Sequence, residues 1–389
     1  MYVDYTPEQH ELRATIRDYF TKLMTDDLRE TLSHEAGGPP YKEVIRQIGR
    51  DGWLGVGWPK EWGGQGFTGI EQLIFLDEAR RAGAPLPFVT LNTVGPAIMR
   101  HGTEELKKKF LPQILAGEVH FAIGYSEPGA GTDLAALSCA AERVGDEYLV
   151  NGTKIFTSGA NDADYVWLAV RTDPEAKKHK GISILICPTD QEGFSFAPIV
   201  TVGSGRTNMT YYEDVHVPVT NRVGEENGGW QLITTQLNYE RIGLGVWGSI
   251  AQRLVEDAIR FARDTETDDG GRLIEQGWVQ GALAEAYART DAAKVMNWRM
   301  AWELESGSLD PARASSVKVF GTEELIEVYR LLLDVLGAPG LLRSGSPGAV
   351  LRGEIELQYR ACQINTFGGG VNEVQRQIVA TMGLGLPRG

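Results

Sequence analysis

Residues 125–133, with the sequence Y-S-E-P-G-A-G-T-D, combine small residues, hydroxyl groups and glycines in one short run. Backbone N–H groups at glycines, together with the Ser126 and Thr132 hydroxyls, can hydrogen-bond a pyrophosphate without a full positive charge. The same composition is also typical of an ordinary glycine-rich turn. The run is therefore a candidate phosphate-binding loop, with a plain turn as the alternative.

Residues 154–159, K-I-F-T-S-G, form a second candidate. We predict a strand here, and because side chains alternate along a strand, Phe156 and Ser158 are expected on one face. An aromatic face beside a hydroxyl donor suits a flavin ring. Many half-buried strands carry such a pair, so this segment alone does not identify a site.

Glu240 is a candidate general base, in the run L-N-Y-E-R at residues 237–241. It lies in a predicted helix rich in apolar side chains. Burial there would remove water from the carboxylate and raise its pKa, as proton abstraction from a weak acid requires. The alternative is that Glu240 and Arg241 are solvated helix residues.

Helical periodicity predicts helices in the first part of the chain, up to about residue 117. Thr6 followed by Pro7 predicts a capped helix start. Further helices are predicted over residues 41–50, 70–82, 94–100 and 103–115. Three glycines are expected to end helices in the left-handed conformation, namely Gly83, Gly102 and Gly117.

The period changes to two between about residues 121 and 223, which predicts strands. Asn151-Gly152 is typical of a tight hairpin turn, here joining strands at 147–150 and 153–157. Further strands are predicted over residues 165–171, 181–187, 194–200 and 209–217. This many short strands indicate a small β-sandwich or barrel, and no G-x-G-x-x-G opens a helix as in a dinucleotide-binding fold.

Helical periodicity returns from residue 228, and four long helices with short joints predict an antiparallel bundle. They are expected over residues 230–263, 273–305, 311–336 and 349–364, with a short helix over 371–382. The predicted fold is mostly α with a β middle domain. The predicted domains are an N-terminal helical domain (1–120), a middle β-domain (121–225) and a C-terminal four-helix bundle (226–389).

The charge balance excludes some partners. The 389 residues include 52 acidic and 38 basic side chains, a net charge of −14. This excess argues against nucleic acid or an anionic membrane as a partner. One basic run, K-K-H-K at residues 177–180, is expected to be a solvated loop, although an anionic ligand tail could use it. Without a signal peptide, a long apolar stretch or a metal-like cysteine spacing, we expect a cytoplasmic protein without a metal.

The E-P-G-A-G-T-D run, the K-I-F-T-S-G run and the order of the three domains resemble the acyl-CoA dehydrogenase family across essentially the whole chain. The resemblance implies bound FAD and oxidation of an acyl-CoA thioester to its trans-2-enoyl-CoA. It also implies flavin-binding roles for two groups of residues. Tyr125 and Ser126 would contact the edge of the flavin ring, and Gly131 and Thr132 would approach the pyrophosphate.

The other two flavin contacts depart from the family in size. Phe156 stands where many members have a tryptophan against the flavin, and Ser158 where a threonine hydrogen-bonds flavin N5. Each keeps the chemistry of the residue it replaces, an aromatic ring and a hydroxyl. The resemblance therefore keeps both roles.

The usual base of the family is missing. Many members carry a glutamate shortly before a Gly-Thr in the last helical region, and Gly369 occupies that position here. Members resembling the isovaleryl-CoA and long-chain dehydrogenases carry the glutamate on the first bundle helix instead, directly before an arginine. Glu240 and Arg241 match that pattern, which implies Glu240 as base and flavin N5 as hydride acceptor. Arg241, Asn238 and Gly369 are then expected to contact the substrate, and Glu373 is the competing base.

In this family each FAD also contacts the neighbouring subunit through an Arg-x-x-Phe-Gly stretch and a Gln-x-x-Gly-Gly-x-Gly stretch. Residues 267–271 (T-D-D-G-G) and 334–340 (D-V-L-G-A-P-G) take these places, and both lack the expected side chains. Asp334 would even oppose the pyrophosphate charge. The chain thus keeps its own flavin loop but has lost the arm that it would lend to a neighbour.

This combination resembles one subunit of the heteromeric acyl-CoA dehydrogenases of bacterial steroid side-chain breakdown. It implies a second acyl-CoA dehydrogenase-like subunit in an α2β2 heterotetramer, an acyl-CoA substrate with a bulky or α-branched acyl group, and a separate electron acceptor. Two alternatives remain open. The chain could be a non-catalytic partner subunit of such a complex, or an acyl-CoA oxidase that passes electrons to oxygen.

Overall fold

The computed structural model describes residues 4–34, 37–203, 205–244, 247–306 and 308–387. Within these ranges, the side chains of residues 33–34, 237–244, 247 and 304–305 are outside the description. The order is helical, then β, then helical, which confirms the predicted fold class. The exact domain boundaries remain a prediction.

The N-terminal part is helical, and its first helix begins as predicted. The Thr6 hydroxyl accepts a hydrogen bond from the Gln9 N–H at 3.3 Å, and the Gln9 side chain accepts from the Thr6 N–H at 3.1 Å. This reciprocal cap satisfies two N–H groups that have no partner inside the helix. The helices are α1 (Pro7–Leu23), α2 (Asp26–His34), α3 (Gly38–Arg50), α4 (Gly69–Arg81), α5 (Gly95–His101) and α6 (Glu104–Leu115).

Two of the three predicted glycine stops are confirmed. Gly83 and Gly117 have φ values of +73° and +69°. Gly102 is extended instead, with φ −74° and ψ 152°, so a left-handed stop is wrong there. The sequence analysis also missed α2, which is short and strongly polar.

The middle part is one eight-stranded sheet. Its strands are β1 (Phe121–Gly124), β2 (Ala140–Val144), β3 (Glu147–Lys154), β4 (Tyr165–Arg171), β5 (Ile182–Pro188), β6 (Phe194–Val200), β7 (Arg206–Pro218) and β8 (Arg222–Val223). The order across the sheet is β6-β7-β3-β2-β4-β5-β8, and β1 pairs in parallel with β4. Four of the predicted strands correspond to β4, β5, β6 and β7.

The predicted hairpin at Asn151-Gly152 is wrong, because β3 runs through both residues and the actual turn joins β2 to β3. Asn151 is held against β7, with its Nδ2 donating to Asp214 Oδ1 at 2.8 Å and its Oδ1 accepting from the Asp214 N–H at 2.9 Å. The pairing register shifts between Val150 and Gly152. A Cβ at Gly152 would lie only 2.8 Å from Cys139 Cα. The glycine therefore marks a bulge and a close backbone approach.

The C-terminal part is helical again. Its helices are α7 (Gly229–Leu244), α8 (Trp247–Asp264), α9 (Gly277–Glu305), α10 (Pro311–Leu336), α11 (Glu354–Ala361) and α12 (Asn372–Ile378). Helices α8, α9 and α10 pack on one another around a core of aliphatic side chains. The described residues of the helix predicted over 230–263 lie in two helices, α7 and α8. The helix predicted over 349–364 is shorter than expected and corresponds to α11.

In the described residues, no helix combines the length and the apolar character that crossing a membrane would require.

Candidate functional site

The candidate flavin loop follows strand β1 along the chain. Its first residue contacts both the sheet and helix α7. Tyr125 is buried, and its hydroxyl donates to Gln236 Oε1 at 2.6 Å and accepts from Trp167 Nε1 at 3.0 Å. Gln236 lies on α7 and Trp167 on β4. The loop is therefore fixed at its start to both elements.

A buried ion pair, which the sequence analysis missed, shapes the loop. Lys154 at the end of β3 is fully buried, and its Nζ donates to Glu127 Oε1 at 2.8 Å and to the Tyr125 carbonyl at 3.1 Å. Glu127 also accepts from the Ser138 N–H at 2.7 Å, from the Ser138 hydroxyl at 2.8 Å and from the Cys139 N–H at 2.8 Å. One carboxylate thus ties the beginning of the loop to the segment just before β2 and to the end of β3.

Burial by itself raises the pKa of Glu127, but the Lys154 charge and the hydrogen bonds from Lys154, Ser138 and Cys139 together lower it below its usual value. The carboxylate is therefore ionised at neutral pH. The available sequence signal was a lysine inside a predicted strand of the middle domain, because a lysine that becomes buried needs an acidic partner.

The tip of the loop is open. Glu127 and Ala130 exchange backbone hydrogen bonds at 2.9 and 3.0 Å in a tight turn. A Cβ at Gly129 or at Gly131 would meet no atom within 4 Å, and Thr132 is exposed. This surface has backbone and hydroxyl groups with room beside them, which fits the pyrophosphate of FAD.

Phe156 and Ser158 lie beyond the end of β3, so the prediction of a shared strand face is wrong. Phe156 has a φ of +63°, a region that bulky residues rarely adopt, and its side chain is 61% exposed. Ser158 is also exposed, and its hydroxyl donates to Thr207 Oγ1 at 3.0 Å. A strained backbone that holds an aromatic ring outward is typical of a ligand-contacting residue, and the ring and the hydroxyl fit a flavin.

The candidate base lies on α7, the helix to which Tyr125 is hydrogen-bonded through Gln236. The side chains of Glu240, Asn238 and Arg241 are outside the described residues. Position 240 is four residues after Gln236, and residues four apart share a face of a helix. The helix therefore brings position 240 to the face that the flavin loop contacts through Gln236.

The loop with the missing family base contains two glycines in the left-handed region. Gly369 has a φ of +68° and Gly370 a φ of +105°. Lys318, buried on α10, holds both ends of this loop, donating to the Thr366 carbonyl at 3.0 Å and to Asn372 Oδ1 at 2.6 Å. A glutamate at position 369 would have to adopt a conformation that side chains disfavour.

Glu373, the competing base, lies in the first turn of α12 with an exposed side chain. Removing the α-proton of a thioester needs a base in a site that excludes water, and an exposed carboxylate lacks such a site. Its environment therefore gives Glu373 no advantage as the base.

The two segments that replace the family's trans arm are acidic. Thr267 closes a turn over residues 267–271, because its N–H donates to the Gly271 carbonyl at 3.0 Å.

 The Thr267 carbonyl accepts from the N–H of Gly270, at 2.9 Å, so the turn is closed from both sides. Asp334 is exposed and its carboxylate is paired with Arg330 at 2.7 Å. Neither segment offers a cation or an amide side chain to a pyrophosphate.

Comparisons with known proteins agree with this arrangement. Three family models match the chain: the acyl-CoA dehydrogenase N-terminal domain over residues 6–118, the middle domain over 122–215 and the C-terminal domain over 227–384. The chain is 55% identical to acyl-CoA dehydrogenase FadE26 of Mycobacterium tuberculosis, over 100% of this chain and 99% of that protein.

Two solved structures are similar over their whole length. The crystal structure of the ChsE4-ChsE5 complex from Mycobacterium tuberculosis contains a chain that is 54% identical, with a TM-score of 0.95 and full coverage of both chains. A structure described as the Tcur3481-Tcur3483 steroid ACAD contains a chain that is 55% identical, also with a TM-score of 0.95 and full coverage.

Proposed function

The chain belongs to the acyl-CoA dehydrogenase family and is an FAD-dependent acyl-CoA dehydrogenase, and we propose that it acts on a bulky or α-branched, steroid side-chain-like acyl-CoA with Glu240 as the base. The product is the trans-2-enoyl-CoA. The observation that carries the choice of base is the left-handed backbone at Gly369, where the usual glutamate is absent.

Glu240 takes the proton from the α-carbon of the thioester. This proton is weakly acidic, so the base needs a pKa raised by a site that excludes water. The shared face of position 240 and Gln236 on α7 supports this role, because Gln236 is already in contact with the flavin loop through Tyr125. Bound FAD supplies the acceptor for the hydride that leaves the β-carbon.

The other proposed contacts follow from the same arrangement. Tyr125, Ser126, Phe156 and Ser158 border the flavin ring, and Gly131 with Thr132 borders the pyrophosphate. Asn238 and Arg241, on the same helix α7, are the proposed substrate contacts. At Gly369 the missing side chain leaves room beside the reacting carbons, which suits a branched or bulky acyl group. One similar chain comes from a structure described as a steroid ACAD, which supports this substrate class.

We also propose that a second acyl-CoA dehydrogenase-like subunit completes the cofactor site in an α2β2 heterotetramer. Residues 267–271 and Asp334 are acidic where the family uses cationic and amide side chains, so this chain cannot complete the site of a neighbour of its own kind. The similar chains in two-component complexes support the same assembly. One FAD per heterodimer follows, with electrons leaving to a separate acceptor.

Substitution of the base tests the proposal. Glu240→Gln keeps the shape of the side chain but cannot accept the proton, so reduction of the bound flavin by acyl-CoA should slow at least about 10³-fold while FAD remains bound. The absorbance of the flavin under anaerobic mixing measures both quantities. Glu373→Gln is the matched control and should reduce the flavin at close to the wild-type rate.

Near wild-type flavin reduction by Glu240→Gln would exclude Glu240 as the base. Loss of reduction in Glu373→Gln alone would transfer the role to that residue. Unbranched and α-branched acyl-CoA substrates of equal carbon number, compared by kcat/KM, test the substrate class, and a preference for the unbranched chain would contradict it.

A further inference from the structure

Residues 366–372, the glycine loop, contain three consecutive glycines. Two of them, Gly369 and Gly370, have φ values of +68° and +105°. A Cβ at Gly370 would lie 2.6 Å from Nε2 of the buried Gln375, so the backbone passes close to that side chain. Glycine has more backbone freedom to lose than any other residue, so holding this loop in one conformation is costly. Contacts from outside the loop must therefore fix its shape.

Lys318 holds the two ends of the glycine loop together from α10. The side chain is only 3% exposed, and its Nζ donates to the Thr366 carbonyl at 3.0 Å and to Asn372 Oδ1 at 2.6 Å. An ammonium group has three N–H donors, so one lysine can bind acceptors that lie in different directions. Lys318 thus fixes the positions between which the three glycines run.

The Asn372 amide extends this contact to the surface. An ammonium only donates and a carboxylate only accepts, so the amide must turn its oxygen to Lys318 and its nitrogen to Glu323. Its Nδ2 accordingly donates to Glu323 Oε1 at 2.9 Å, and Glu323 Oε2 accepts from Arg376 at 2.6 Å. The hydrogen bond and charge of Arg376, with the bond from Asn372, keep the pKa of Glu323 below its usual value. The end of the loop is therefore held from inside the bundle and from its surface.

The glycine loop and the segment before it also present apolar surface. Phe367 is 57% exposed and Ile364 is 48% exposed. Large apolar side chains that stay exposed beside a proposed active site suit contact with the hydrocarbon part of a ligand. The position of the loop backbone therefore affects both the room beside Gly369 and the apolar surface around it.

We propose that Lys318 is a positioning residue that keeps the glycine loop out of the space for the acyl group, and thereby determines the acceptance of a bulky or α-branched acyl-CoA. The inference rests on the proposed function for the place of Gly369 beside the reacting carbons. Lys318 acts through the loop backbone and not on the substrate. Without it the glycines allow many conformations, and those that enter the acyl space exclude a branched chain before they exclude a straight one.

Lys318→Met tests the proposal on the flavin-loaded assembly. The measured quantity is the kcat/KM for a 2-methylacyl-CoA divided by the kcat/KM for the straight-chain acyl-CoA of the same carbon number. This ratio should fall at least about tenfold from its wild-type value, the scale on which enzymes discriminate one methyl group. The absorbance of bound FAD should stay at the wild-type level.

A second variant and a control make the test specific. Lys318→Met leaves two buried acceptors without their donor, whereas Lys318→Met with Asn372→Leu removes the donor and one acceptor together and costs less stability. This double variant should show the same fall in the ratio. Arg376→Gln breaks only the outer pair with Glu323, in which the side chains are 54% and 40% exposed, and should leave the ratio within about twofold.

Two results would overturn the inference. One is an unchanged ratio in a folded, flavin-loaded Lys318 variant. The other is an equal loss of kcat/KM for both substrates, because a merely structural role lowers both alike. The proposed function fails separately: a wild-type preference for the straight chain would contradict the substrate class, while the change in the ratio between wild type and variant still reports on Lys318.

Discussion

Replacing Lys154 by methionine removes one partner of the buried ion pair beneath the flavin loop. Methionine is close to lysine in length and fills the apolar part of the site, so the change isolates the ammonium. Glu127, only 6% exposed, would then lie buried without the cation that is 2.8 Å away in the wild type. The three other donors to the carboxylate, the Ser138 N–H, the Ser138 hydroxyl and the Cys139 N–H, are neutral, so none supplies a full positive charge.

The expected cost is large because a buried charge loses its partner. Removing one member of a buried pair typically destabilises a protein by about 3–5 kcal/mol, a substantial part of the 5–15 kcal/mol that holds most domains folded. Denaturant unfolding of the purified assembly, with and without added FAD, measures this cost. Since Glu127 ties the beginning of the loop to β3 and to the segment just before β2, the affinity for FAD should fall as well.

Two controls make the prediction specific. Lys178→Met removes an ammonium from the exposed ion pair with Asp133 and should cost less than about 1 kcal/mol. The double variant Glu127→Gln with Lys154→Met buries no unpaired charge. A glutamine oxygen in place of Oε2 can still accept from the Ser138 N–H and hydroxyl, and only the bond from the Cys139 N–H to Oε1 is lost. It should therefore be more stable than Lys154→Met alone.

The pH dependence gives a further check. Because its pKa is lowered in the folded chain, ionised Glu127 contributes stability above the ordinary pKa of a glutamate, and this contribution is lost as the pH falls through the folded value. The stability gap between wild type and Lys154→Met should therefore be largest near neutral pH and shrink in acid. A gap below about 1 kcal/mol at neutral pH, or one that widens in acid, would refute this account of the pair.

Two other predictions concern Gly181, directly before β5, and the assembly. Gly181 has a φ of +79° and a Cβ there would lie 2.3 Å from the Asp173 carbonyl oxygen, so Gly181→Ala should destabilise the chain by about 1–3 kcal/mol in thermal unfolding. Gly145→Ala, with φ +62° and no atom within 4 Å, is the control and should cost less. Co-expression with the partner subunit should give a two-plus-two assembly with one FAD per heterodimer by native mass measurement and flavin absorbance, and a homo-oligomer with one tightly bound FAD per chain would contradict it.

The sequence predicts regular elements well where one periodicity dominates. Strands β4 and β6 begin and end at the predicted residues, and α10 does too, because their patterns are uninterrupted. The prediction of a turn at Asn151-Gly152 is wrong because this dipeptide occurs both in turns and in β-bulges. Which of the two forms depends on pairing with β7, which is distant in sequence. The predicted strand through Phe156 is wrong for a similar reason. The chain leaves the sheet after Lys154, whose side chain binds Glu127, a residue that is distant in sequence.

The residues of the candidate site also differ in whether they depend on neighbours in the sequence or on distant residues. Its motif residues could be found from the sequence because the backbone groups and hydroxyls that face a pyrophosphate lie close together along the chain. Arg171, at the end of β4, donates to the carbonyls of Ala135 and Lys180 at 2.8 and 2.7 Å. Lys154, Arg171 and Lys318 could not be found as a group, since each acts by holding a segment that is remote in sequence. All three are basic side chains with their charge directed at backbone carbonyls, in a protein with an acidic excess. Their shared role explains how open, glycine-rich loops can keep a defined shape: the cations that hold the loops come from the ends of strands and from the bundle, and the glycines remain accessible to the ligand.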